Sequence, residues 1–319
     1  MSDRIKIGRA VKALLFVVNL EFKWYIITEN NAWRKNMSLY DDNKEIMRKY
    51  NIVPQKKYGQ NFLIDDFALD KIIENADIKN DDLVIEIGPG LGNLTKRLCE
   101  KAGQVIAIEI DSNMVKILNT EYSHLKNLII LNEDIMKVDL KQLICKFPNM
   151  KCVKVVANLP YYITTPIIMK LLEDNVGISL IEVMVQKEVA ERLCATPTGR
   201  DYGAITVAVN YYSKPGYIVT VPSKSFLPAP DVDSAVVMLE VYDEPKVKVD
   251  KDLFFSIVKA AFSQKRKTLL NSLGSANVNG INKEKLTNIL TELGIDLNIR
   301  AERLSLEDFE NISIKYLNK

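Results

Sequence analysis

From position 83 onward the chain alternates short apolar runs with stretches of helical spacing. The run Leu83-Val84-Ile85-Glu86-Ile87 and those at 105–110, 127–131, 153–157 and 180–186 carry few polar interruptions. Runs this short predict strands buried on both faces, as at the centre of a parallel sheet. Helical spacing occurs at 66–75, before the first strand, at 94–101, after it, and at 188–194, after the run at 180–186. Strand, helix, strand with short links predicts an α/β fold, a doubly wound Rossmann-like sheet with its ligands at the carboxyl ends of the strands. Apolar runs at 204–211 and 217–221, around Lys214-Pro215-Gly216, predict a hairpin, and 234–241 a last strand. From 251 the pattern is helical, at 253–262, 269–273, 283–293 and 306–317, with Gly274 and Gly294 as breaks. The expected organisation is therefore a sheet domain over 38–245, a linker near Glu244-Pro245, and a small all-α domain over 246–319.

Residues 1–37 stand apart from this pattern. The stretch 11–28 is apolar-rich, but Asn19, Glu21 and Lys23 interrupt it. Its uninterrupted part is too short to span a bilayer, and no small-residue cleavage site follows. Two readings stand: an amphipathic surface helix, or a leader outside the working fold, with Met37 a candidate start. A polar helix is expected at 41–50.

Composition narrows the picture slightly. The chain has 319 residues, 47% hydrophobic and 26% charged, with formal net charge +2, as in ordinary globular proteins. A balance so little basic neither demands nor excludes nucleic acid, so that argument must rest on local patches. Cys99, Cys145, Cys152 and Cys194 show no C-x-x-C spacing and His124 is the one histidine. This usage points to a reduced, cytoplasmic protein without a structural metal.

The chemistry gathers where strands end. Asn158-Leu159-Pro160-Tyr161 closes the run at 153–157. The Asn158 side-chain carbonyl can accept one hydrogen of an exocyclic amine, and a backbone carbonyl beside Pro160 the other. Pro160 supplies no N–H, so the turn presents acceptors. Tyr161 offers a flat face for a base taken out of its stack. The competing reading of such a tetrapeptide is a plain strand-ending turn. Upstream, Gly88-Pro89-Gly90-Leu91-Gly92 follows the first long strand and permits close backbone approach to a ligand. Glu109 lies about twenty residues past Gly88, where an acid reaches a ribose diol. A dehydrogenase would use Glu109 but leave Asp134 and the Asn158 turn idle. S-adenosylmethionine employs them all: glycines against its amino-acid end, Glu109 on the ribose, Asp134 on the adenine amino group, and Ile110 and Ile135 about the ring. The basic loop Lys56-Lys57-Tyr58-Gly59-Gln60-Asn61-Phe62-Leu63-Ile64-Asp65 either covers a bound small molecule or serves capping and packing. Phe226, before Pro228 and Pro230, either clamps a base or pins its loop to the core. Lys259 and Phe262-Ser263-Gln264-Lys265-Arg266-Lys267 form either a phosphate contact or a solvated helix face.

Taken together, these residues resemble the small-subunit rRNA adenine N6-dimethyltransferases and the related macrolide-resistance methyltransferases of the large subunit. The matching segments are Lys57-Tyr58-Gly59-Gln60-Asn61-Phe62-Leu63, Glu86-Ile87-Gly88-Pro89-Gly90, Glu109-Ile110-Asp111 and Ala157-Asn158-Leu159-Pro160-Tyr161. Gly199-Arg200-Asp201-Tyr202-Gly203, Phe226-Leu227-Pro228-Ala229-Pro230-Asp231-Val232, Phe262 through Leu269, and Arg300-Ala301-Glu302 with Leu304-Ser305-Leu306 extend the match from about Ser38 to the end. The resemblance implies a class I methyltransferase sheet. It also implies two successive methyl transfers from S-adenosylmethionine to N6 of each of two adjacent adenosines near the 3′ end of small-subunit rRNA. It assigns cofactor binding to Asn61, Leu63, Gly88, Glu109, Asp134 and Asn158, and base orientation to Asn158, Leu159, Pro160 and Tyr161 with Phe226 as stacking partner. The implied partner is rRNA in the immature small subunit, bound by a monomer without metal or membrane. Residues 1–37 receive no role from it. Two rivals remain: a large-subunit resistance methyltransferase, and a catalytically idle RNA-binding descendant.

Overall fold

The structure is a computed structural model, and it describes residues 38–55, 58–264, 266–276, 278–280 and 282–317. The expectations for residues 1–37, and those for Lys56, Lys57 and Lys265, lie outside these. The chain parts into two compact units between Val53 and Pro54, later than the 37/38 boundary expected from sequence. In the first unit, α1 (Leu39–Lys49) opens on Ser38, whose Oγ accepts the Asp41 N–H at 3.3 Å. Acids in its first turn and bases in its last suit the helix dipole.

The second unit is built on a seven-stranded sheet. In chain order its strands are β2 (Asp82–Ile87), β3 (Gln104–Glu109), β4 (Leu128–Asn132), β5 (Cys152–Asn158), β6 (Ile178–Gln186), β7 (Ser213–Val221) and β9 (Ser234–Val241). Two short strands, β1 (Phe62–Leu63) and β8 (Phe226–Leu227), form a separate antiparallel pair. The spatial order is β4-β3-β2-β5-β6-β9-β7, parallel except for β9, which runs antiparallel to both β6 and β7. Helices α2 (Asp66–Asn75), α3 (Asn93–Cys99), α4 (Ser112–Glu121), α5 (Leu140–Ile144), α6 (Thr164–Glu173) and α7 (Lys187–Leu193) connect the strands. The central strands are apolar because both faces are covered: Leu83, Val84, Ile85, Val155, Val156, Ile181 and Val183 are all completely buried.

One expectation fails here. The segment expected as the first strand of a hairpin is helix α8 (Ala204–Tyr212). Its β-branched, almost wholly apolar composition reads as strand, but Thr206, Val207, Ala208, Val209, Tyr211 and Tyr212 are buried on successive faces of the helix. Gly203 opens it, donating its N–H to Thr206 Oγ1 at 3.1 Å, and that hydroxyl in turn donates to the Arg192 carbonyl at 2.6 Å. The expected turn at Lys214-Pro215-Gly216 lies within β7, which tolerates a proline because it is the sheet edge. The helical C-terminal part is as expected: α9 (Lys251–Ala261), α10 (Leu269–Ala276), α11 (Lys283–Glu292) and α12 (Leu306–Leu317). Phe254, Ile257, Leu269, Leu286, Leu290 and Phe309 are buried in one continuous apolar cluster with α6, α8 and one sheet face. Residues 246–319 thus fall in the same compact unit as the sheet.

Candidate active site

From β2 the chain winds outward to β3 and β4, then returns to the other side of β2 as β5. The loops leaving β2 and β5 therefore diverge, and the cleft between them is the ligand position of a doubly wound sheet. A cavity of about 330 Å³ lies there. The loop 58–63, the glycine turn, Glu109, Asp134 and the stretch 158–163 line it, so the expected cofactor side chains and the Asn158 turn meet in one place.

Two glycines show why the turn after β2 has its sequence. Gly90 has φ +57°, and a Cβ there would stand 3.1 Å from Phe62 Cδ1. Gly92 has φ +86°, and a Cβ would fall 2.2 Å from Tyr122 Cε2. The left-handed conformation and the close approach both require glycine. Tyr122 also donates its hydroxyl to the Leu91 carbonyl at 2.9 Å, bracing the turn from outside the cavity.

Glu109, 6% exposed, ends β3 with Oε1 accepting the Asp111 N–H at 2.8 Å. Burial pushes its pKa up, and the backbone N–H groups of Asp111, Gly90 and Ile110 pull it back. Asp111 accepts from Gln60 Nε2 at 3.2 Å, and Gln60 Oε1 from the Gln55 N–H at 2.9 Å, so the 58–63 loop is tied to the end of β3. Asn93 Nδ2 fastens the same loop through the Leu63 carbonyl at 2.9 Å. Asp134 caps a single 3-10 turn by accepting the Met136 N–H at 3.0 Å, and its other oxygen is 3.9 Å from Lys137 Nζ. Ile110, exposed, and Ile135, buried, line the cavity.

On the other wall, Asn158 Nδ2 donates to the Asn61 carbonyl at 3.2 Å. That bond fixes the amide orientation and leaves Oδ1 as the acceptor, the polarity an exocyclic amine requires. Leu159 is buried and donates its N–H to the Met184 carbonyl at 3.1 Å. The Pro160 carbonyl is taken by the Ile163 N–H and the Thr164 hydroxyl, so the carbonyl beside the proline that remains for a ligand is that of Leu159. Tyr161 is half-buried, its hydroxyl 2.5 Å from Ser234 Oγ, and burial raises its pKa.

Phe226 is buried, sits opposite Leu63 in the β1–β8 ladder, and is not among the cavity-lining side chains. Two polar lining residues received no role from the sequence. Tyr162, 59% exposed, stands against Gly59; it hid as a second aromatic beside a more obvious one. Glu86 is 1% exposed, and its Oε2 has no hydrogen-bond partner among the described residues. Burial pushes its carboxyl up to about 8. Its signal was a lone carboxylate inside an otherwise apolar strand.

The basic segment lies apart from the cavity. Lys259, Arg266 and Lys267 are exposed. Tyr202 donates its hydroxyl to the Leu304 carbonyl and Thr198 its N–H to the Glu302 carbonyl, both at 2.8 Å, and the Tyr202 and Phe262 rings are 6.1 Å apart. The Gly199–Gly203 segment, the basic loop and the Arg300–Leu304 turn are thereby joined. No group of three or more His, Cys, Asp or Glu among the described residues is arranged to hold a metal. No described helix is long and apolar enough to cross a membrane.

The profile of the family described as Ribosomal RNA adenine dimethylase matches residues 53–319. A protein of Lachnoclostridium phytofermentans named Ribosomal RNA small subunit methyltransferase A is 48% identical over 271 residues, 84% of this chain and 93% of the relative. Its namesake in Clostridioides difficile is 47% identical over 278 residues, 87% of this chain and 96% of the relative. Among solved structures, a dimethyladenosine transferase from Plasmodium falciparum superposes with TM-score 0.69 at 30% identity, covering 81% of this chain and 98% of the other. The 23S rRNA methyltransferase ErmE superposes with TM-score 0.63 at 25% identity, covering 81% and 100%.

Proposed function

The chain belongs to the ribosomal RNA adenine dimethylase family, and from that premise we propose that it dimethylates N6 of two adjacent adenosines near the 3′ end of small-subunit rRNA, using S-adenosylmethionine. The observation that carries this reading is the meeting, in one cavity, of a ribose-binding acid, a glycine turn and an amine acceptor of fixed polarity. Curated relatives at 47–48% identity that bear the small-subunit name support the choice of RNA. The immature small subunit is the proposed partner, met by a monomer in the cytoplasm where ribosomes assemble.

The residues present fit the cofactor. Glu109 offers a buried carboxylate to two ribose hydroxyls, and Asp134 an oxygen to the adenine amino group. Gly88, where an added Cβ would meet nothing nearer than 3.9 Å, leaves room for the amino-acid end, with Asn61 and Leu63 in the loop above. The orphaned Glu86 Oε2 suits the cofactor's ammonium group, directly or through water. Bound there, S-adenosylmethionine supplies an electrophilic methyl on its sulfonium.

The protein's own work is placement. In the first transfer Asn158 Oδ1 and the Leu159 carbonyl accept the two N6 hydrogens, which draws the nitrogen out of conjugation and turns its lone pair toward the methyl. One of these hydrogens leaves as a proton when the N–C bond forms, and a single hydrogen remains to be held in the second transfer. Tyr161 stacks on the base. Holding nucleophile and electrophile in line contributes much of the rate, because it replaces an encounter in solution by a fixed geometry. Phe226, paired in register with Leu63, stitches the cofactor loop to the 226–230 loop; stacking on a base would require its ring to leave its buried position. The exposed Arg266 and Lys267 take rRNA phosphates. Deleting the gene and mapping N6,N6-dimethyladenosine in rRNA tests the assignment. Loss of two adjacent small-subunit marks is expected, and their persistence would overturn it.

A further inference from the structure

Ser234 was not among the residues expected to matter, yet it touches one that is. It is the first residue of β9 and is completely buried. Its backbone sits between two strands, in register with Gln186 of β6 and Val221 of β7. The preceding residue is also held: the Asp233 carbonyl accepts the Lys187 N–H at 3.0 Å, and Asp233 Oδ1 the Ser223 N–H at 2.9 Å. The Ser234 hydroxyl is therefore a fixed post on the sheet, and the Tyr161 hydroxyl lies 2.5 Å from it.

Tyr161 itself stands on a single 3-10 turn at the cavity wall. A ring so placed has two soft torsions. A hydrogen bond from its far end to the sheet restrains both. Stacking needs only the ring face, which phenylalanine would supply equally, so the hydroxyl is left with one task. We propose that Ser234 is a positioning residue for methyl transfer: its hydroxyl holds the Tyr161 ring in the plane where the target base must lie for its amine to face the cofactor. The proposal rests on the reading of Tyr161 as the base platform. Because a small misplacement of reacting groups slows chemistry far more than it weakens binding, the bond acts on kcat and leaves the cofactor site untouched.

The test is single-turnover methyl transfer by the full chain to immature small subunits, with cofactor affinity and unfolding temperature measured alongside. Tyr161→Phe and Ser234→Ala should each slow transfer roughly 5–10-fold, the loss of one ordinary hydrogen bond from the transition state. The double variant should be no slower than the slower single, since both delete the same bond. Cofactor Kd should stay at the wild-type value in all three. Tyr161→Phe keeps the tether question answerable should Ser234→Ala fold poorly, because it leaves the buried serine in place. Wild-type rates for Tyr161→Phe, or a double variant whose loss is the product of the two single losses, overturn the proposal. Tyr161→Ala separates the two layers. If it transfers at the wild-type rate, the reading of the site itself fails, whereas a slow Tyr161→Ala beside an unimpaired Tyr161→Phe overturns the tether alone.

Discussion

Replacing Glu182 by methionine should make the protein more resistant to unfolding, and increasingly so as pH rises. Glu182 lies in the middle of β6, 1% exposed, flanked in register by Val156 of β5 and Met238 of β9. Neither carboxylate oxygen has a hydrogen-bond partner among the described residues, and burial pushes its pKa from 4.5 to about 8. The folded state therefore keeps a proton that the unfolded chain has released, so stability falls as pH rises from about 4.5 and levels off above about 8. At 1.36 kcal/mol per unit, the fall between pH 6 and pH 9 is roughly 3 kcal/mol, an upper bound once the surroundings relax. Glu86 is raised to about 8 by the same cause, so Glu182→Met should remove about half of the combined decline. Urea unfolding of both proteins at pH 6 and pH 9 measures this. An equal drop in stability in the two would refute the reasoning.

Glu109→Ala should weaken S-adenosylmethionine binding by roughly 1.5–3 kcal/mol, while Tyr161→Ala leaves it nearly unchanged and slows transfer. Calorimetry with cofactor alone checks this, and equal losses in both would count against the division of roles. Gly92→Ala should lower both thermal stability and cofactor affinity, because the new Cβ meets the Tyr122 ring at 2.2 Å and the backbone stays at φ +86°; a thermal melt and a binding isotherm read the two effects. Neutralising Arg266 and Lys267 should weaken binding to immature small subunits and flatten its salt dependence, the slope falling by about one for each phosphate no longer neutralised. Cofactor affinity is the control expected not to move.

Much of this molecule could be read from its sequence, and the gaps have physical causes. The central strands were legible because a parallel strand covered on both faces leaves an apolar run little else to do. Glu109, Asp134 and Asn158 could be paired with a ligand because each closes such a run, and the structure brings all three to one cavity. Helix α8 was misread for the converse reason: a helix enclosed on most sides has no polar stripe, so its period disappears and its β-branched residues read as strand. The β1–β8 pair could not be foreseen, since two-residue strands far apart in sequence leave no pattern. Ser234 was silent because its role depends on an orientation that only three dimensions supply, and the lone carboxylate of Glu86 marked its strand without showing that it lacked a partner.

The central claim is that this chain places two methyl groups on adenine N6 in small-subunit rRNA. The most direct measurement is incubation of the purified protein with methyl-labelled S-adenosylmethionine and separated, undermethylated ribosomal particles, followed by nucleoside analysis of each rRNA. The account predicts label in the small-subunit rRNA alone, recovered as N6,N6-dimethyladenosine at two adjacent positions. Label in the large-subunit rRNA, with the small-subunit rRNA unmodified, would contradict it.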